Sequence, residues 1–439
     1  MKIAILGTGY VGLSTGVCLS EIGHNVVCID TDAHKIKRLN KGDSPIYEPG
    51  LKTLLTQNTT AGRLQFTTSH REGLNDAEII VIAVGTPQRE DGGANLSYLE
   101  QAAKDIAANL VRSAVIIVKS TVPVGTTELI EKIILERCTD RVKFKIVSSP
   151  EFLRQGSAIR DTLKPDRIII GSKSEEAAKK VQEMYQPLNA PFLLTNIKSA
   201  EMIKYASNAF LATKISFINE VSNLCEVVGA NVEDVAKGMG KDKRIGEDFL
   251  KPGIGYGGSC FPKDVKALLH TAKLNGVDLS LLKETIAIND AQQELLVKKA
   301  RNRLTDLKGK KITMLGLAFK PETDDMREAP SIKIARVLTK LGAEVIAYDP
   351  VATDNAKNIL GDTIKYESSV YRATWGADAI FIVTEWNEFR HLDLDALMQI
   401  MKQPIIFDGR NCLEESRIRT CKTIEYYPIG KPAILIGRT

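Results

Sequence analysis

Residues 2–12, Lys-Ile-Ala-Ile-Leu-Gly-Thr-Gly-Tyr-Val-Gly, decide the fold of this protein. An apolar run is followed by Gly7, Gly9 and Gly12, which have the spacing G-x-G-x-x-G, and then by a helical pattern. In that context the first glycine permits a tight turn, the second lets a pyrophosphate approach the backbone, and the third packs the helix on the strand. The stretch therefore predicts a dinucleotide-binding βα unit. The alternative is a glycine turn that merely closes such a unit.

An acidic residue follows the second predicted strand. Asp30 comes directly after the β-branched run Val26–Ile29. In dinucleotide sites such an acid lies about 20 residues beyond the glycines and hydrogen-bonds the ribose 2′-OH. Because a carboxylate would repel a 2′-phosphate, the sequence favours NAD over NADP.

Short β-branched runs alternate with helical patterns at both ends of the chain. They are Lys2–Leu6, Val26–Ile29, Ile79–Val84, Val115–Val118 and Phe144–Val147, then Lys311–Leu315, Val345–Tyr348, Ala379–Val383 and Ile405–Phe407. The two sets resemble each other, since KIAILGTGY at residue 2 returns as KITMLGLAF at residue 311. This predicts an α/β protein with two Rossmann-like doubly wound sheets joined by a long central helix. Only the first set keeps all its glycines, so only that sheet is expected to bind a dinucleotide.

The segment Ser199–Val228 carries apolar residues at helical spacing and stops at Gly229. We predict one helix of about 45 Å with spare surface for a subunit partner, and hence a homo-oligomer, with a dimer favoured. Two shorter helices are the alternative. The predicted domains are 1–196 (NAD-binding), 197–300 (helical, with a cysteine loop) and 301–439 (second Rossmann-like domain).

The composition indicates a globular protein and excludes several classes of partner. Of the 439 residues, 44% are hydrophobic and 26% charged, and Lys+Arg exceed Asp+Glu by 59 to 54. This modest excess contains no long basic run, so it gives no case for nucleic acid or a membrane surface. No apolar stretch approaches the roughly 18 residues of a membrane helix, and early glycines interrupt any signal-peptide core.

The 7 cysteines and 5 histidines indicate reduced thiols and no metal. The cysteines form no CxxC pair, are odd in number and are scattered, which predicts a reducing, cytoplasmic compartment. The histidines show no HExxH or other paired spacing, so we predict no metal site.

Two polar motifs lie near the ends of strands in the first set. They are Gly85-Thr86-Pro87 and the segment that contains Thr121. Ligands of open α/β sheets bind beyond the carboxyl ends of the strands, so these residues are candidate contacts. Simple turn chemistry is the alternative for both.

Residues 249–264, FLKPGIGYGGSCFPKD, are the most informative segment of the chain. Its glycines are expected to expose backbone to a ligand, and Pro262 near the start of a helical pattern predicts a helix over Val265–Lys273. Cys260 would lie at that helix N-terminus beside Lys263, where the pKa of a thiol is lowered and the thiolate is a nucleophile. The alternative is an ordinary buried cysteine.

Other polar residues are weaker candidates. Lys204 and Asn208 lie one turn apart on the predicted long helix and share a face. Four basic residues near glycines or strand ends could clamp phosphates, namely Arg244, Lys320, Arg327 and Arg410. For all six, an ordinary solvated side chain is the alternative.

With these residues assembled, the sequence resembles the UDP-glucose/GDP-mannose dehydrogenase family over essentially its whole length. The matching stretches are MKIAILGTGYVGL, SPEFLRQGSA, GYGGSCFPKD, FKPETDDMRE and FDGRN. The cysteine block is highly specific, and its sequence is similar to that of the family branch that acts on UDP-glucose. The resemblance implies a four-electron oxidation of the C6 alcohol to a carboxylate, with two NAD consumed in succession, for polysaccharide precursors.

The resemblance also implies roles for the candidate catalytic residues. Cys260 would attack the intermediate aldehyde, and the resulting thiohemiacetal would be oxidised to a thioester that water hydrolyses. Lys204 would stabilise oxyanion character at C6 with help from Asn208. Thr121 would act through a water, and Asp264 would orient or activate that water.

Binding residues follow from the same resemblance. Those matched to the cofactor are Gly7, Gly9, Tyr10, Val11, Gly12, Asp30, Lys35, Gly85, Thr86, Pro87, Thr121, Glu151, Lys263 and Arg327. Those matched to the sugar and diphosphate are Glu151, Phe152, Leu153, Lys204, Asn208, Arg244, Phe249, Leu250, Lys251, Gly253, Gly257, Lys320 and Arg410. Arg244 is expected to reach the site from a neighbouring subunit, and Glu151 is also a candidate base. Many relatives have a second glutamate where this chain has Gln155, and an amide cannot take that role.

Two other functions stay open. The same chemistry could act on GDP-mannose or a UDP-N-acetylhexosamine. A catalytically inactive NAD-binding module would need a broken Cys260, Lys204 or Asp264, and all three are present.

Overall fold

The computed structural model describes residues 1–138 and 142–437, and the chain divides into two compact units. One unit comprises residues 1–207 and 266–277, and the other comprises residues 208–265 and 278–439. Each unit contains one α/β sheet. The three-domain division stays a prediction.

Eight strands form the sheet of the first unit. They are β1 (Lys2–Leu6), β2 (Asn25–Ile29), β3 (Leu64–Thr67), β4 (Ile79–Ile82), β5 (Ala114–Val118), β6 (Phe144–Ser148), β7 (Ile168–Ser172) and β8 (Phe192–Thr195). Their order is β3-β2-β1-β4-β5-β6-β7-β8, and neighbours are parallel except β6 and β7. Ile3 and Ile5 enter one core, whereas Ala4 and Leu6 enter another. Because both faces are buried, strands such as β4 and β5 are apolar throughout.

Helices lie between these strands in the sequence. They are α1 (Tyr10–Glu21), α2 (Ala33–Leu39), α3 (Leu51–Thr60), α4 (His70–Leu74), α5 (Ser97–Asn109), α6 (Thr126–Leu135), α7 (Ala158–Leu163) and α8 (Glu175–Tyr185). A short 3-10 turn covers Gln186–Leu188. Apolar faces of α1 and α5 pack into the cores, with Leu13 and Val17 in one and Leu99 and Ile106 in the other.

A helical stretch follows β8. Its helices are α9 (Ile197–Val228), α10 (Val232–Gly240), α11 (Phe261–Leu274), α12 (Ser280–Gln292) and α13 (Leu295–Leu304). Helix α9 is continuous over 32 residues, so the alternative of two shorter helices is wrong. Helix α11 begins at Phe261, four residues before the predicted start, and Pro262 is its second residue, where its missing N–H costs no helical hydrogen bond.

The second unit contains a seven-stranded sheet. Its strands are β9 (Lys311–Leu315), β10 (Glu344–Tyr348), β11 (Lys365–Tyr366), β12 (Ala379–Ile382), β13 (Ile405–Asp408), β14 (Ile424–Tyr427) and β15 (Ile434–Ile436). The order is β11-β10-β9-β12-β13-β14-β15, with only β14 and β15 antiparallel among the described neighbours. The helices are α14 (Pro330–Lys340), α15 (Thr353–Leu360), α16 (Val370–Thr374), α17 (Asn387–Arg390), α18 (Leu394–Ile400) and α19 (Glu415–Ile418).

The predicted fold class, two Rossmann-like sheets with a long helix between them in the chain, is confirmed. Every predicted strand is present within a residue or two of its predicted bounds. Six strands were not predicted from the sequence, namely β3, β7, β8, β11, β14 and β15. Several of these lie towards the sheet edges, where one face carries polar or exposed residues, so the continuous apolar run is lost.

The glycine turn after β1 allows a stability test. A Cβ on Gly12 would lie 1.9 Å from the carbonyl oxygen of Gly7, whereas a Cβ on Gly9 would have nothing within 4 Å. We expect Gly12→Ala to cost about 1–3 kcal/mol or more and to lower the melting temperature of the first unit by several degrees. Gly9→Ala is the matched control and should melt like the unsubstituted protein by circular dichroism. Equal melting temperatures for the two variants would contradict the close packing of Gly12.

Candidate active site

The glycine turn leaves a helix N-terminus open to a ligand. Gly7 has φ of 99°, a conformation that favours glycine, and its N–H donates to Ile29 O at 2.8 Å. Gly9 precedes α1, which begins with Tyr10 and Val11, and open space surrounds its Cβ position. Free N–H groups and the dipole at a helix start bind phosphate, so this turn fits a dinucleotide pyrophosphate.

Asp30 lies at the end of β2 and is bound to the glycine turn. Its Oδ2 accepts from Thr8 N at 2.9 Å and from Thr8 Oγ1 at 2.6 Å, and its Oδ1 accepts from Asp32 N at 3.0 Å. Lys35 Nζ lies 4.0 Å away. Burial acts to raise the pKa of Asp30, but the bonds from Thr8 and Asp32 outweigh it and hold the pKa below its ordinary value. The carboxylate therefore stays charged where a ribose hydroxyl would be recognised.

Hydrogen bonds join the segments that follow β4 and β5. Thr86 Oγ1 donates to Thr121 O at 3.0 Å, and Ser120 Oγ donates to Val84 O at 2.7 Å. Both threonines thus lie at one edge of the sheet, with Gly85 and Pro87 in the same loop, as the sequence predicted. Whether they contact a cofactor stays a prediction.

A buried ion pair joins Glu151 and Lys204. The Nζ–Oε1 distance is 3.3 Å, and the side chains are only 4% and 5% exposed. Glu151 Oε2 also accepts from Leu153 N at 2.6 Å. The ring of Phe152 contacts two cations, with Lys204 Nζ at 5.2 Å and Arg167 at 4.0 Å from its centroid. These contacts fix the segment 151–153 against a positive charge.

Two buried carboxylates in this unit were not predicted from the sequence. Glu201, on α9 just before Lys204, accepts from Gly125 N at 2.6 Å and Thr127 N at 2.7 Å at the start of α6. Burial raises the pKa of Glu201 above its usual value, against the lowering effect of these bonds. Glu48 accepts from Gly156 N and Ala158 N, both at 2.7 Å, in the loop that follows Glu151 and Gln155. Neither residue belongs to a recognisable motif, so no sequence signal pointed to them.

Cys260 and Asp264 lie in the second unit. Cys260 directly precedes α11 and is partly exposed, with its Sγ 3.8 Å from Ser259 Oγ. Asp264 is one turn further along, and its carboxylate accepts from Asn208 Nδ2 at 2.7 Å and Lys263 Nζ at 2.5 Å. A thiol, a buried carboxylate, an amide and an ammonium therefore meet at the start of α11.

Other cysteines have surroundings unsuited to nucleophilic chemistry. Burial raises the pKa of Cys18 and of Cys28 to about 12, and it also raises the pKa of Cys412 and Cys421. Such thiols stay protonated near neutral pH. Cys260 differs from these four in that it is partly exposed and directly precedes a helix.

The glycine-rich loop, residues 249–258, is packed against protein. A Cβ on Gly257 would lie 2.1 Å from Glu328 O, and one on Gly258 would lie 2.7 Å from the Phe319 ring. Arg410 Nη1 donates to Gly255 O at 3.0 Å, and a Cβ on Gly253 would lie 3.1 Å from that nitrogen. Close approach to other protein groups accounts for these glycines, whereas the sequence had suggested ligand contact alone.

The remaining predicted residues lie on or beside the loops of the second unit. Phe249 has a positive φ of 64°, Leu250 is buried and Lys251 is exposed. Arg327 pairs with Asp325, and Arg244 pairs with Asp242 through Nη2 and Oδ2 at 2.6 Å while its side chain stays 89% exposed. Lys320 Nζ lies 5.5 Å from the Phe319 ring centroid. Their contacts with a substrate stay predictions.

Neither a metal cluster nor a spanning helix is found in the part of the chain that the structure describes. No three His, Cys, Asp or Glu side chains there come close enough to hold a metal ion. No helix there is long and apolar enough to cross a membrane.

Comparison with known proteins gives this site its class. Family models of the UDP-glucose/GDP-mannose dehydrogenase family match residues 1–189 as the NAD binding domain, 198–291 as the central domain and 313–415 as the UDP binding domain. The glycine turn and Asp30 lie in the first match and Cys260 in the second. The protein is thus an NAD-binding dehydrogenase.

The sequence and structural relatives agree with that class. A UDP-glucose 6-dehydrogenase of Bacillus subtilis, YwqF, is 54% identical over 99% of both chains. A UDP-glucose dehydrogenase structure from Pyrobaculum islandicum superposes with a TM-score of 0.91 at 38% identity, covering 98% of this chain and 97% of that one. A UDP-D-ManNAc dehydrogenase from Pyrococcus horikoshii superposes with a TM-score of 0.86 at 31% identity, covering 98% and 99%. The chain belongs to the UDP-glucose/GDP-mannose dehydrogenase family, and NAD is its cofactor.

Asp30 permits a test of the cofactor site. Asp30→Asn keeps the shape but removes the charge that a ribose 2′-OH would meet, so we expect the NAD dissociation constant from calorimetry to rise about tenfold or more. NADP binding should weaken less, because the repulsion of the 2′-phosphate is also removed. Asp43→Asn, at an exposed carboxylate paired with Arg38, is the control and should leave both constants unchanged. An unchanged ratio of NAD to NADP affinity in Asp30→Asn would refute the assigned role.

Proposed function

We propose that the protein oxidises UDP-glucose to UDP-glucuronate in two steps with NAD, through a covalent intermediate on Cys260. The observation that carries this proposal is the position of Cys260. The partly exposed thiol directly precedes α11, and Asp264 lies one turn away with Asn208 and Lys263 bound to its carboxylate. The thiol is thus placed to be a nucleophile, and the nearby carboxylate can accept or donate a proton.

The first oxidation makes an aldehyde at C6 of the sugar. The alcohol loses a hydride from carbon and a proton from oxygen, and NAD, when bound, supplies the hydride acceptor for this step and the next. The thiolate of Cys260 then forms a C–S bond to the aldehyde carbon while the carbonyl oxygen takes a proton. The product is a thiohemiacetal whose tetrahedral carbon again carries a hydrogen to lose.

The second oxidation and hydrolysis complete the reaction. Loss of a hydride from carbon and a proton from oxygen gives a thioester. Water adds to the thioester carbonyl, the C–S bond breaks, the Cys260 thiolate is restored and the sugar leaves as a carboxylate. Asp264 orients or activates this water, and Glu151 is a second carboxylate suited to the same task.

Lys204 supplies positive charge for oxygen at C6. Its ammonium is held by Glu151 at 3.3 Å and lies against the Phe152 ring, so its position is set before substrate binds. A fixed, buried positive charge stabilises oxyanion character without reorganisation, an effect worth several kcal/mol. Asn208 lies one turn further along α9, where it donates to Asp264, and would assist Lys204, and Thr121 would contribute through a water.

UDP-glucose is favoured as substrate because of the relatives. The 54%-identical Bacillus subtilis protein is named a UDP-glucose 6-dehydrogenase, and so is a Rhizobium meliloti protein at 47% identity. Structural neighbours of lower identity act on UDP-D-ManNAc by name, which keeps N-acetylhexosamines as the second candidate. In the phosphate-binding part of the site, Arg410 and Lys320 would hold the diphosphate, and the product would supply polysaccharide synthesis in the cytoplasm.

We propose that the protein is a homodimer whose interface contains the exposed face of α9. Phe210, Phe217 and Leu224 recur every two turns on that helix and are 66%, 47% and 62% exposed. An exposed apolar stripe of this kind on a helix is typical of an interface. Arg244, whose side chain is exposed, would complete the neighbour's substrate site.

Stoichiometry tests the four-electron mechanism. We expect two NADH for each UDP-glucose consumed and UDP-glucuronate as the product. Cys260→Ser should form no carboxylate and no more than one NADH per sugar, because a serine hydroxyl is a much weaker nucleophile at neutral pH. Cys138→Ser, at another partly exposed cysteine, is the control and should keep the ratio of two. One NADH per UDP-glucose in the unsubstituted protein would contradict the four-electron mechanism. NADH formation from a panel of nucleotide sugars would test which of them is the substrate.

The oligomeric state tests the α9 interface. Phe217→Glu places a charge at the centre of the apolar stripe, so we expect a dimer to become a monomer in size-exclusion chromatography with light scattering. Tyr98→Glu, at a 58% exposed aromatic residue on α5, is the control and should leave the mass unchanged. A Phe217→Glu variant that kept the dimer mass would place the interface elsewhere.

A further inference from the structure

Buried side-chain amides bind the backbone of the glycine-rich loop, residues 249–258. Asn219 Oδ1 of α9 accepts from Gly253 N at 2.8 Å, and Gln292 Nε2 of α12 donates to Gly253 O at 2.8 Å. Both amides are buried. The N–H and C=O of one loop residue are therefore both bound by side chains rather than by regular secondary structure.

Asn289 of α12 binds the loop more completely. Its Oδ1 accepts from Tyr256 N at 2.7 Å and its Nδ2 donates to Tyr256 O at 3.1 Å. Paired N–H and C=O bonds to a single residue are what a neighbouring strand provides in a sheet. The side chain is buried, so water does not compete for these bonds.

The backbone beside Tyr256 is shaped to accept this amide. Gly255 has φ of 85°, and a Cβ there would lie 2.7 Å from Asn289 Oδ1. Arg410 Nη1 donates to Gly255 O at 3.0 Å, and Gly258 N donates to Arg327 O at 2.9 Å. The ring of Tyr256 packs edge-on against Phe261, the residue after Cys260. The Asn289 contact therefore lies in the second half of the loop, next to the predicted substrate residue Gly257 and four residues before the thiol.

We propose that Asn289 is a positioning residue that holds the glycine-rich loop in the conformation that binds the sugar nucleotide. The inference builds on the proposed function, since it assigns the loop to the substrate. Without the Asn289 bonds the loop has several conformations to lose on binding, and the ordering cost reduces affinity. NAD binding, which belongs to the glycine turn after β1, does not depend on this loop.

Two substitutions at Asn289 test this role. Asn289→Leu removes both bonds, and we expect KM for UDP-glucose to rise about tenfold or more while KM for NAD stays within about twofold. Asn289→Asp is isosteric, keeps the acceptor and loses the donor to Tyr256 O. A protonated carboxyl, however, offers both a donor and an acceptor, as the amide does.

The pH dependence of Asn289→Asp separates positioning from general damage. A buried carboxyl has a raised pKa, so lowering the pH from 8.5 to about 5.5 should return its KM towards that of the unsubstituted protein at the same pH. Charged and titratable groups contact the residues on either side of this position. They are Asp290, Lys333, which donates to Asp290 O and pairs with Glu294, Arg410, which donates to Gly255 O, and the Tyr256 phenol, whose pKa is raised by burial. They are common to both proteins, so the ratio of the two KM values reports the new carboxyl. Asn289→Leu should show no such recovery.

Asn109→Asp is the matched control. It loses a single amide bond, from Nδ2 to Asp105 O at 2.8 Å, at the end of α5 in the first unit. Its KM values and pH profile should match those of the unsubstituted protein. A KM ratio for Asn289→Asp that does not change with pH, or equal rises in the KM for NAD and UDP-glucose, would overturn the proposal. If the unsubstituted protein failed to bind UDP-glucose in calorimetry, the proposed function would fail instead, and the two outcomes are distinguishable.

Discussion

Buried carboxylates that accept backbone N–H groups hold the loops of this protein in place. Strands such as β4 and β12 are buried on both faces, and backbone groups of loops next to buried strands need partners within the protein. Asp30 and Glu201 are such partners in the first unit, and Asp408 is one in the second, where it accepts from Arg410 N, Cys412 N and Leu413 N. Each of these carboxylates lies next to a residue with a proposed function. Loop geometry and site geometry are therefore set by the same bonds.

The two sheets have an aspartate at the same place, after the second strand of each repeat, but its contacts differ. Asp349 follows β10 as Asp30 follows β2, but its oxygens accept from Leu317 N, Ala318 N, Val351 N, Ala352 N and Trp386 Nε1. The indole of Trp386 is buried and donates to this carboxylate, whereas Asp30 in the first sheet is bound by Thr8 and Asp32 and its side chain stays 13% exposed. These contacts agree with the expectation that only the first sheet binds a dinucleotide. They also agree with the family's description of the C-terminal part as a UDP binding domain.

The structural elements that depend on hydrophobic periodicity or on known motifs could be predicted from the sequence. Strands such as β1 and β4 are apolar on both faces, and α9 keeps its apolar spacing throughout, so both could be identified from residue patterns. Asn289 and Glu201 could not, because a buried amide or carboxylate in a helix has no sequence signature and gains its meaning only from the backbone it meets. The glycines of residues 249–258 were recognised, but their main cause was not. Gly257 is required by the nearby carbonyl of Glu328, a contact between segments far apart in the chain.

The buried ion pair of Lys204 and Glu151 is better accounted for by the proposed function than by stability. Taking an ammonium and a carboxylate out of water costs several kcal/mol for each, and their attraction repays this only with good geometry, so hydrophobic residues of similar size would serve the fold as well or better. The proposed role of Lys204 requires a positive charge that is present and fixed before the reaction begins. Glu151 holds that charge on one side and Phe152 on another, and Arg167 stacks on the same ring. A second glutamate at position 155 would add a negative charge to the same segment, and the amide of Gln155 leaves the balance between one carboxylate and one ammonium undisturbed.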